Sequence, residues 1–553
     1  MMCLISGMID VRFTGKLIEF LLEQDGQKFK FVNLFLAAKC LIEVRNRIEI
    51  HPVSQKLLTQ IQALTNYDLD YYYSKYFDNE ETKLVHEIRT QAVSAIAATW
   101  QEESSTLDWL KARAQSDEDN DVCFAAVQEL ARGWKDDSDT LNWLKTHAQS
   151  DKTYAVRRHA AVQELARGWK DDPETLSIVK TYAQSDSNYA VRRAAVQELA
   201  RGWKDDPETL PILKTCVQSD GDDEVRHAAV QELARGWKDD PETLSIVKTY
   251  ARSDSNDAVR RAAVQELARG WKDDPETLSI VKTYAQSDSN DAVRRAAVQE
   301  LARGWKDDPE TLSIVRTCAQ SDDNYAVRVA AVQELAQGWK DDPETLSIVR
   351  TCAQSDDNYA VRGTAVQELA RGWKDDPETL SIVRTCAQSD DNYAVRGVAV
   401  QELARGWKDD LETLSIIKTY AQSDDNDDVR RVATRELARG WKDDPGTLSI
   451  VKTCAQSDDN CDVRGVAVQE LIWGWKDDPE MFEFLYDRAL QDPFEREEFW
   501  EDNPRQIALK AILKNYPDHP KTLELLIDRV NNDPDEQLRE FAKQQFAKLE
   551  KQQ

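Results

Sequence analysis

The side chains able to do chemistry are scattered along this chain. Its six histidines, His51, His86, His147, His159, His227 and His519, lack the i, i+4 pairing and the cysteine companions that a metal site needs. Nine cysteines without a Cys-x-x-Cys pair give neither a disulfide scaffold nor a zinc site. There is no Gly-x-Ser-x-Gly nucleophile elbow. The only Gly-Lys, Gly15-Lys16, runs into Leu17 without the upstream glycine of a phosphate loop. What recurs instead is paired acids such as Asp205-Asp206, mostly just before a proline, where they read as helix caps and solvated turn charges. No catalytic residue, metal site or cofactor is expected.

The elements that carry these residues are set by tryptophan. Trp100, Trp134, Trp169, Trp203, Trp237, Trp271, Trp305, Trp339, Trp373, Trp407, Trp441 and Trp475 recur every 34 residues, with one interval of 35. This is a tandem array. The extra residue falls where Arg157-Arg158-His159-Ala160-Ala161 stands for Arg192-Arg193-Ala194-Ala195, and predicts a local helical bulge or a shifted cap.

In the copy that ends at Trp203, Asp172-Pro173-Glu174 supplies an N-cap, a proline at the first helical position and an acid in the first turn. Leu176, Val179 and Ala183, with Ile178 and Tyr182 beside them, form an apolar stripe of helical period. Asn188 then caps a second helix in which Val191, Ala195, Leu199 and Trp203 follow one another at i+4, with Val196 and Ala200 alongside and Gly202 as its stop. Two stripes on one helix cannot both be covered by its hairpin partner, so one must be buried against the next copy. The predicted fold class is all-α, an α-α superhelix of about thirteen helix pairs. The tryptophan row, ending an apolar stripe beside glycine, reads as packing between copies rather than as a stack for a ligand.

Each copy also has an aspartate five residues before a Val-Arg pair with alanine three residues beyond the valine, as in Asp186, Val191-Arg192 and Ala194. This pattern resembles the HEAT repeat, in the bacterial HEAT-like class also found in phycobilin lyases. The resemblance implies an aspartate–arginine ladder between successive copies. It runs along Asp186, Asp220, Asp254, Asp288, Asp322, Asp356, Asp390, Asp424 and Asp458 with Arg192, Arg226, Arg260, Arg294, Arg328, Arg362, Arg396, Arg430 and Arg464. HEAT-repeat deoxyhypusine hydroxylases hold iron with several His-Glu pairs, whereas this chain has one, His86-Glu87. Cys216, Cys318, Cys352, Cys386 and Cys454 fill the register of Tyr182, Tyr250, Tyr284 and Tyr420, which fits a partly buried packing site; a bilin-capturing thiol is the alternative.

Residues 1–99 do not repeat. Helices are predicted over 16–23, 31–44, 52–64 and 80–98, with Tyr71, Tyr72, Tyr73, Tyr76 and Phe77 between them. The stretch Leu34-Phe35-Leu36-Ala37-Ala38-Lys39-Cys40-Leu41, closing on Glu43-Val44-Arg45-Asn46-Arg47, resembles the helical segment that follows the nucleotide-binding module in NACHT-type STAND NTPases with C-terminal HEAT-like arrays. In that family the array senses a partner. With no phosphate loop, the NTPase activity is not implied, and the chain is expected to be the sensor half of such a protein, truncated or split. The expected organisation is an N-terminal helical segment (1–99), the array (100–478) and degenerate capping repeats (479–553).

Charge narrows the partners. With 101 acidic against 72 basic residues, the net charge of −29 repels phosphate backbones and anionic lipid. No signal-peptide core or bilayer-length apolar run is present, so the expectation is a cytoplasmic protein with a protein partner. Because the copies are nearly identical, the positions that vary mark a candidate binding stripe. Two of them, four residues apart on one face of the second helix, read Tyr189/Arg193, Asp223/His227, Asp257/Arg261, Asp291/Arg295, Tyr325/Val329, Tyr359/Gly363, Tyr393/Gly397, Asp427/Arg431 and Cys461/Gly465. Acid tends to accompany base, and tyrosine a small or apolar residue. The HEAT resemblance places second helices on the concave surface, so the stripe is expected to meet the partner. The competing reading is drift between block-duplicated copies. A phycobilin lyase or chromophore chaperone is the alternative function.

Overall fold

The computed structural model describes residues 6–24, 26, 30–67, 79–117, 119–149, 155–496 and 501–550. These form thirty α-helices and no strand. Residues 1–277 and 278–553 make two compact units.

The first unit opens with helices Val11–Leu22, Val32–Ile42, His51–Leu64 and Asn79–Thr99. The first begins five residues before the apolar pattern predicts, because Asp10 accepts the Arg12 backbone N–H at 2.9 Å and caps it. Ile18, Leu41, Leu57, Ile61, Ile88 and Ile96 bury one core, closed by Trp100, whose indole N–H donates to Ser54 Oγ at 3.0 Å. Tyr71, Tyr72, Tyr73, Tyr76 and Phe77 lie outside the described residues. Helix Asn79–Thr99 packs on Asn120–Gly133, the second helix of the first repeat, so the segment ends as the first layer of the array.

Thirteen helix pairs follow, from Ser104–Ser116 with Asn120–Gly133 to Pro520–Asn532 with Glu536–Glu550. Pro173–Ser185 starts where Asp172 accepts the Thr175 N–H at 3.0 Å, and Tyr189–Gly202 where Asn188 accepts the Ala190 N–H at 2.9 Å. Val179, Ala183, Val191, Ala195, Val196 and Leu199 are all fully buried. Leu176, expected in the stripe, is only half-buried, and Thr175 takes the buried place beside the cap. Within each unit, second helices pack on one another in succession, from Asn120–Gly133 to Asp257–Gly270 and from Asp291–Gly304 to Pro504–Asn515, as the double stripe requires. At about 25 cal/mol per Å², each buried Val or Leu stabilises its layer by about 2 kcal/mol.

Two local expectations change. Gly202 does not stop its helix by a left-handed turn, since no glycine in the described residues has positive φ. The stop is Trp203, which leaves helical geometry at φ −132° and anchors its indole to the preceding copy. Nor is there a bulge at His159: Ala155–Gly168 is helical throughout and carries Arg158 in the register that Arg192 holds in Tyr189–Gly202. No helix among the described residues is long and apolar enough to cross a membrane.

Candidate functional site

The aspartate–arginine ladder is formed, and it is bidentate. Arg192 donates through Nε and Nη2 to both carboxylate oxygens of Asp220 at 2.7 and 2.8 Å, and through Nη1 to the Asp186 carbonyl at 2.8 Å. Arg226 repeats this on Asp254 and the Asp220 carbonyl, and Arg260 reaches the Asp254 carbonyl at 3.0 Å. In the second unit Arg294, Arg328, Arg362, Arg396 and Arg430 hold Asp322, Asp356, Asp390, Asp424 and Asp458 in the same way. Each aspartate also ties its own turn, as Asp186 does by accepting the Asn188 N–H at 2.7 Å. Burial pushes the Asp220, Asp322 and Asp356 carboxyls up, but the guanidinium forks outweigh it and hold them below the ordinary carboxylate value.

The ladder extends further than the sequence pattern. Arg158, not Arg157, holds Asp186, at 3.0 and 3.1 Å, because it stands the same distance before Trp169 as Arg192 does before Trp203. Beyond the array Arg464 grips Asp492 at 2.8 Å and Arg505 grips Asp533 at 2.9 Å, both pairs nearly fully buried. The readable signal was the separation of 28 residues within each pair, hidden because the segment before Arg505 breaks the 34-residue count.

Tryptophan, tyrosine and cysteine all tie copies together. Indole N–H groups of Trp203, Trp271, Trp339 and Trp373 donate to the carbonyls of Lys170, Lys238, Lys306 and Lys340 in the copy before, at 3.0–3.1 Å. Their rings are thereby committed to packing. Tyr182 donates its hydroxyl to the Ala148 carbonyl. Where cysteine replaces tyrosine, the thiol donates to the equivalent carbonyl: Cys216 to Ala183 at 3.4 Å, Cys318 to Ala285 at 3.5 Å, Cys386 to Ala353 at 3.6 Å. Burial pushes the Cys216 and Cys318 thiols up to about 12 and those of Cys352 and Cys386 up to about 11. Buried, protonated thiols are the reverse of what covalent capture of a bilin needs.

The variable stripe divides into residues the array uses and residues it leaves out. Asp223 accepts from Asn256 Nδ2 at 2.6 Å, Asp427 from Asn460 Nδ2 at 2.7 Å, and Arg193 reaches Glu224 at 3.0 Å. Arg431 pairs with Asp428 at 2.5 Å and not with Asp427. Asp257, Arg261 and Asp291 are half-buried and Arg295 is exposed. His227 is half-buried, and desolvation pushes its pKa below the ordinary histidine value, so it is neutral at pH 7. The tyrosines differ: Tyr189, Tyr325, Tyr359 and Tyr393 are 45–50% exposed at the first position of their helices. Four residues on from the last two, Gly363 and Gly397 have open space where a side chain would be.

One cluster was invisible in the sequence. His86, Asp119 and Asp121 each bring a ligand-type atom within 4.8 Å of the others, with His86 Nδ1 2.9 Å from Asp121 Oδ2. Asp119 is already committed, accepting from Arg89 at 2.5 Å and capping helix Asn120–Gly133. The cluster reads as an ion-pair network that joins the N-terminal segment to the first repeat.

Compared with known proteins, the family model for HEAT repeats matches residues 155–234, 221–302, 244–336 and 312–404. No curated protein matches the chain. Among solved structures, the Escherichia coli protein YibA is 19% identical, with 50% of this chain covered, 96% of that one and a TM-score of 0.35. Kap95p, in a structure concerned with its binding to RanGDP, is 13% identical, with 98% and 79% covered and a TM-score of 0.49. A Kap121p mutant is 14% identical over 88% of this chain and 56% of its own, with a TM-score of 0.45, so the chain spans just over half of that relative. None of these reaches a TM-score of 0.5, and the assignment rests on the repeats themselves. Residues 155–404 resemble HEAT repeats, within an all-α fold of stacked helix pairs.

Proposed function

We propose that the chain is a non-enzymatic scaffold that binds a protein through the starts of its second helices. The observation that carries this reading is the exposed tyrosine set, Tyr325, Tyr359 and Tyr393, in identical register on successive copies. Tyrosine, cysteine and tryptophan elsewhere in the copy donate to the neighbouring layer, whereas these hydroxyls have no hydrogen-bond partner among the described residues. Large, rigid aromatic side chains with a free polar tip are the residues that anchor protein interfaces. A sensing role in a NACHT-like signalling system is the narrower form of this reading and rests on the resemblance of residues 34–47; a Walker-motif reading frame beside the gene would support it.

The test is affinity capture by the purified chain from its native lysate, read by mass spectrometry. One variant carries Asp257→Lys, Arg261→Glu, Asp291→Lys and Arg295→Glu; another carries alanine at Tyr325, Tyr359 and Tyr393. Loss of the captured protein in either variant, with the helical circular dichroism unchanged, is the expected result. Equal capture by wild type and both variants would contradict the reading.

A further inference from the structure

The tyrosine row of the second unit stands next to a row of acids with a direct physical connection to the ladder. At the second turn position, where earlier copies have Ser187, Gly221, Ser255 and Ser289, the later copies have Asp323, Asp357, Asp391, Asp425 and Asp459. Each accepts from the Nη2 of a ladder arginine at 2.5–2.6 Å, yet each side chain is 87–91% exposed. One arginine therefore serves two aspartates, and every such step carries one uncompensated negative charge at the surface. Two residues on from the first three of these acids come Tyr325, Tyr359 and Tyr393. The positive ends of their helices are spent on Asn324, Asn358 and Asn392, which accept the Ala326, Ala360 and Ala394 N–H groups at 2.7–2.9 Å. What the surface offers a partner is thus an exposed ring and a half-used carboxylate, three times in succession, with open floor at Gly363 and Gly397.

We infer that this row binds an extended polypeptide segment carrying arginine or lysine at every third residue. The inference rests on the protein-binding reading above and names the partner's chemistry. A cation is drawn both to the ring face and to the carboxylate beside it. Spacing sets the period: stacked layers lie about 10 Å apart, and an extended chain in polyproline-II geometry advances about 3.1 Å per residue with three residues per turn, so every third side chain returns to the same face once per repeat. A helical segment, rising about 1.5 Å per residue, would need its cations about seven residues apart, so a peptide with arginine at every third residue meets the row only when extended.

The experiment is a fluorescence anisotropy titration of the full chain. The probes are a labelled dodecapeptide with arginine at every third position among serines, one of equal composition with its arginines contiguous, and one with glutamate for arginine. The periodic peptide is expected to bind about tenfold more tightly than the contiguous one, and the glutamate peptide not at all. Tyr325→Ala with Tyr359→Ala and Tyr393→Ala is expected to weaken the periodic peptide about tenfold. Asp323→Asn with Asp357→Asn and Asp391→Asn should weaken it and flatten its salt dependence. All six positions are exposed, so both triple variants keep their fold, as a thermal melt will verify. Equal binding of the two arginine peptides, or unchanged binding by both variants, overturns the inference. If a captured protein is released by the Asp257, Arg261, Asp291 and Arg295 reversals but not by the tyrosine or aspartate triples, protein binding stands and this inference fails.

Discussion

The repeats of residues 173–270 and those of 309–406 hold the same framework and present different surfaces. In both, the arginine fork meets its aspartate at 2.7–3.1 Å. In both, a cation on the first helix reaches the next copy's capping aspartate and first-turn glutamate. Lys214 contacts Asp240 at 3.0 Å and Glu242 at 2.7 Å in the first unit, and Arg316 contacts Asp342 and Glu344 in the second. Within the framework, lysine gives way to arginine and tyrosine to cysteine at equivalent positions, while the exposed turn changes from Ser187, Gly221 and Ser255 to Asp323, Asp357 and Asp391. Layers fixed by so many independent contacts tolerate substitution at the turn without moving. Chemistry can then vary along an array whose geometry does not.

The sharpest way to break the common framework is at one of its two most buried rungs. Arg464→Ala leaves Asp492 uncompensated at 0% side-chain exposure, and is expected to cost about 3–5 kcal/mol of local stability, read by hydrogen exchange in 461–515. Lys180→Ala, against partners of which Glu208 is 71% exposed, should cost no more than about 1 kcal/mol in the same assay. Similar losses for the two would mean that the ladder is not what orders the layers.

Acid separates the framework from the surface. The ladder aspartates Asp220, Asp322, Asp356 and Asp390 have folded pKa values below their unfolded ones, so their contribution is complete above about pH 4 and is lost as pH falls through the folded values. Glu232, Glu334 and Glu368 are raised by burial and act in the opposite sense, costing stability as pH rises through their values. A melting temperature that drops steeply below about pH 4 is expected; a flat profile there would remove the ladder from the account. The cysteine exchange gives a smaller effect. Native Cys216, Cys318, Cys352 and Cys386 should resist iodoacetamide at pH 8, and Tyr182→Phe should cost about 1 kcal/mol by removing one inter-layer hydrogen bond. Smallest of all, Tyr359→Ala should leave stability within about 0.5 kcal/mol while changing partner capture.

Much of the framework was legible before any coordinates. The tryptophan interval, the Asp172-Pro173 start and the Asn188 cap each follow from local rules, and the structure places all three as those rules require. Asp10 was missed because its helix opens with Arg12 and Phe13, ahead of any apolar period. Arg505 and Asp533 were missed because the ladder depends on a separation in space that the intervening segment disguises in sequence. The variable stripe was legible as positions but not as roles. Sequence spacing puts Asp223 and Tyr325 in one register, and only the coordinates show that Asn256 claims the aspartate while the tyrosine projects into solvent. The acids at Asp323, Asp357 and Asp391 were passed over as solvated turn charge, since their shared arginine lies 29 residues upstream.

The most direct test of the account is hydrogen–deuterium exchange of the full chain with and without its captured protein partner. Slowed exchange is predicted at 323–331, 357–365 and 391–399, with the corresponding stretches 223–231 and 257–265 less affected. Protection confined to the first helices, or to residues 6–67, would contradict a scaffold that binds through the starts of its second helices.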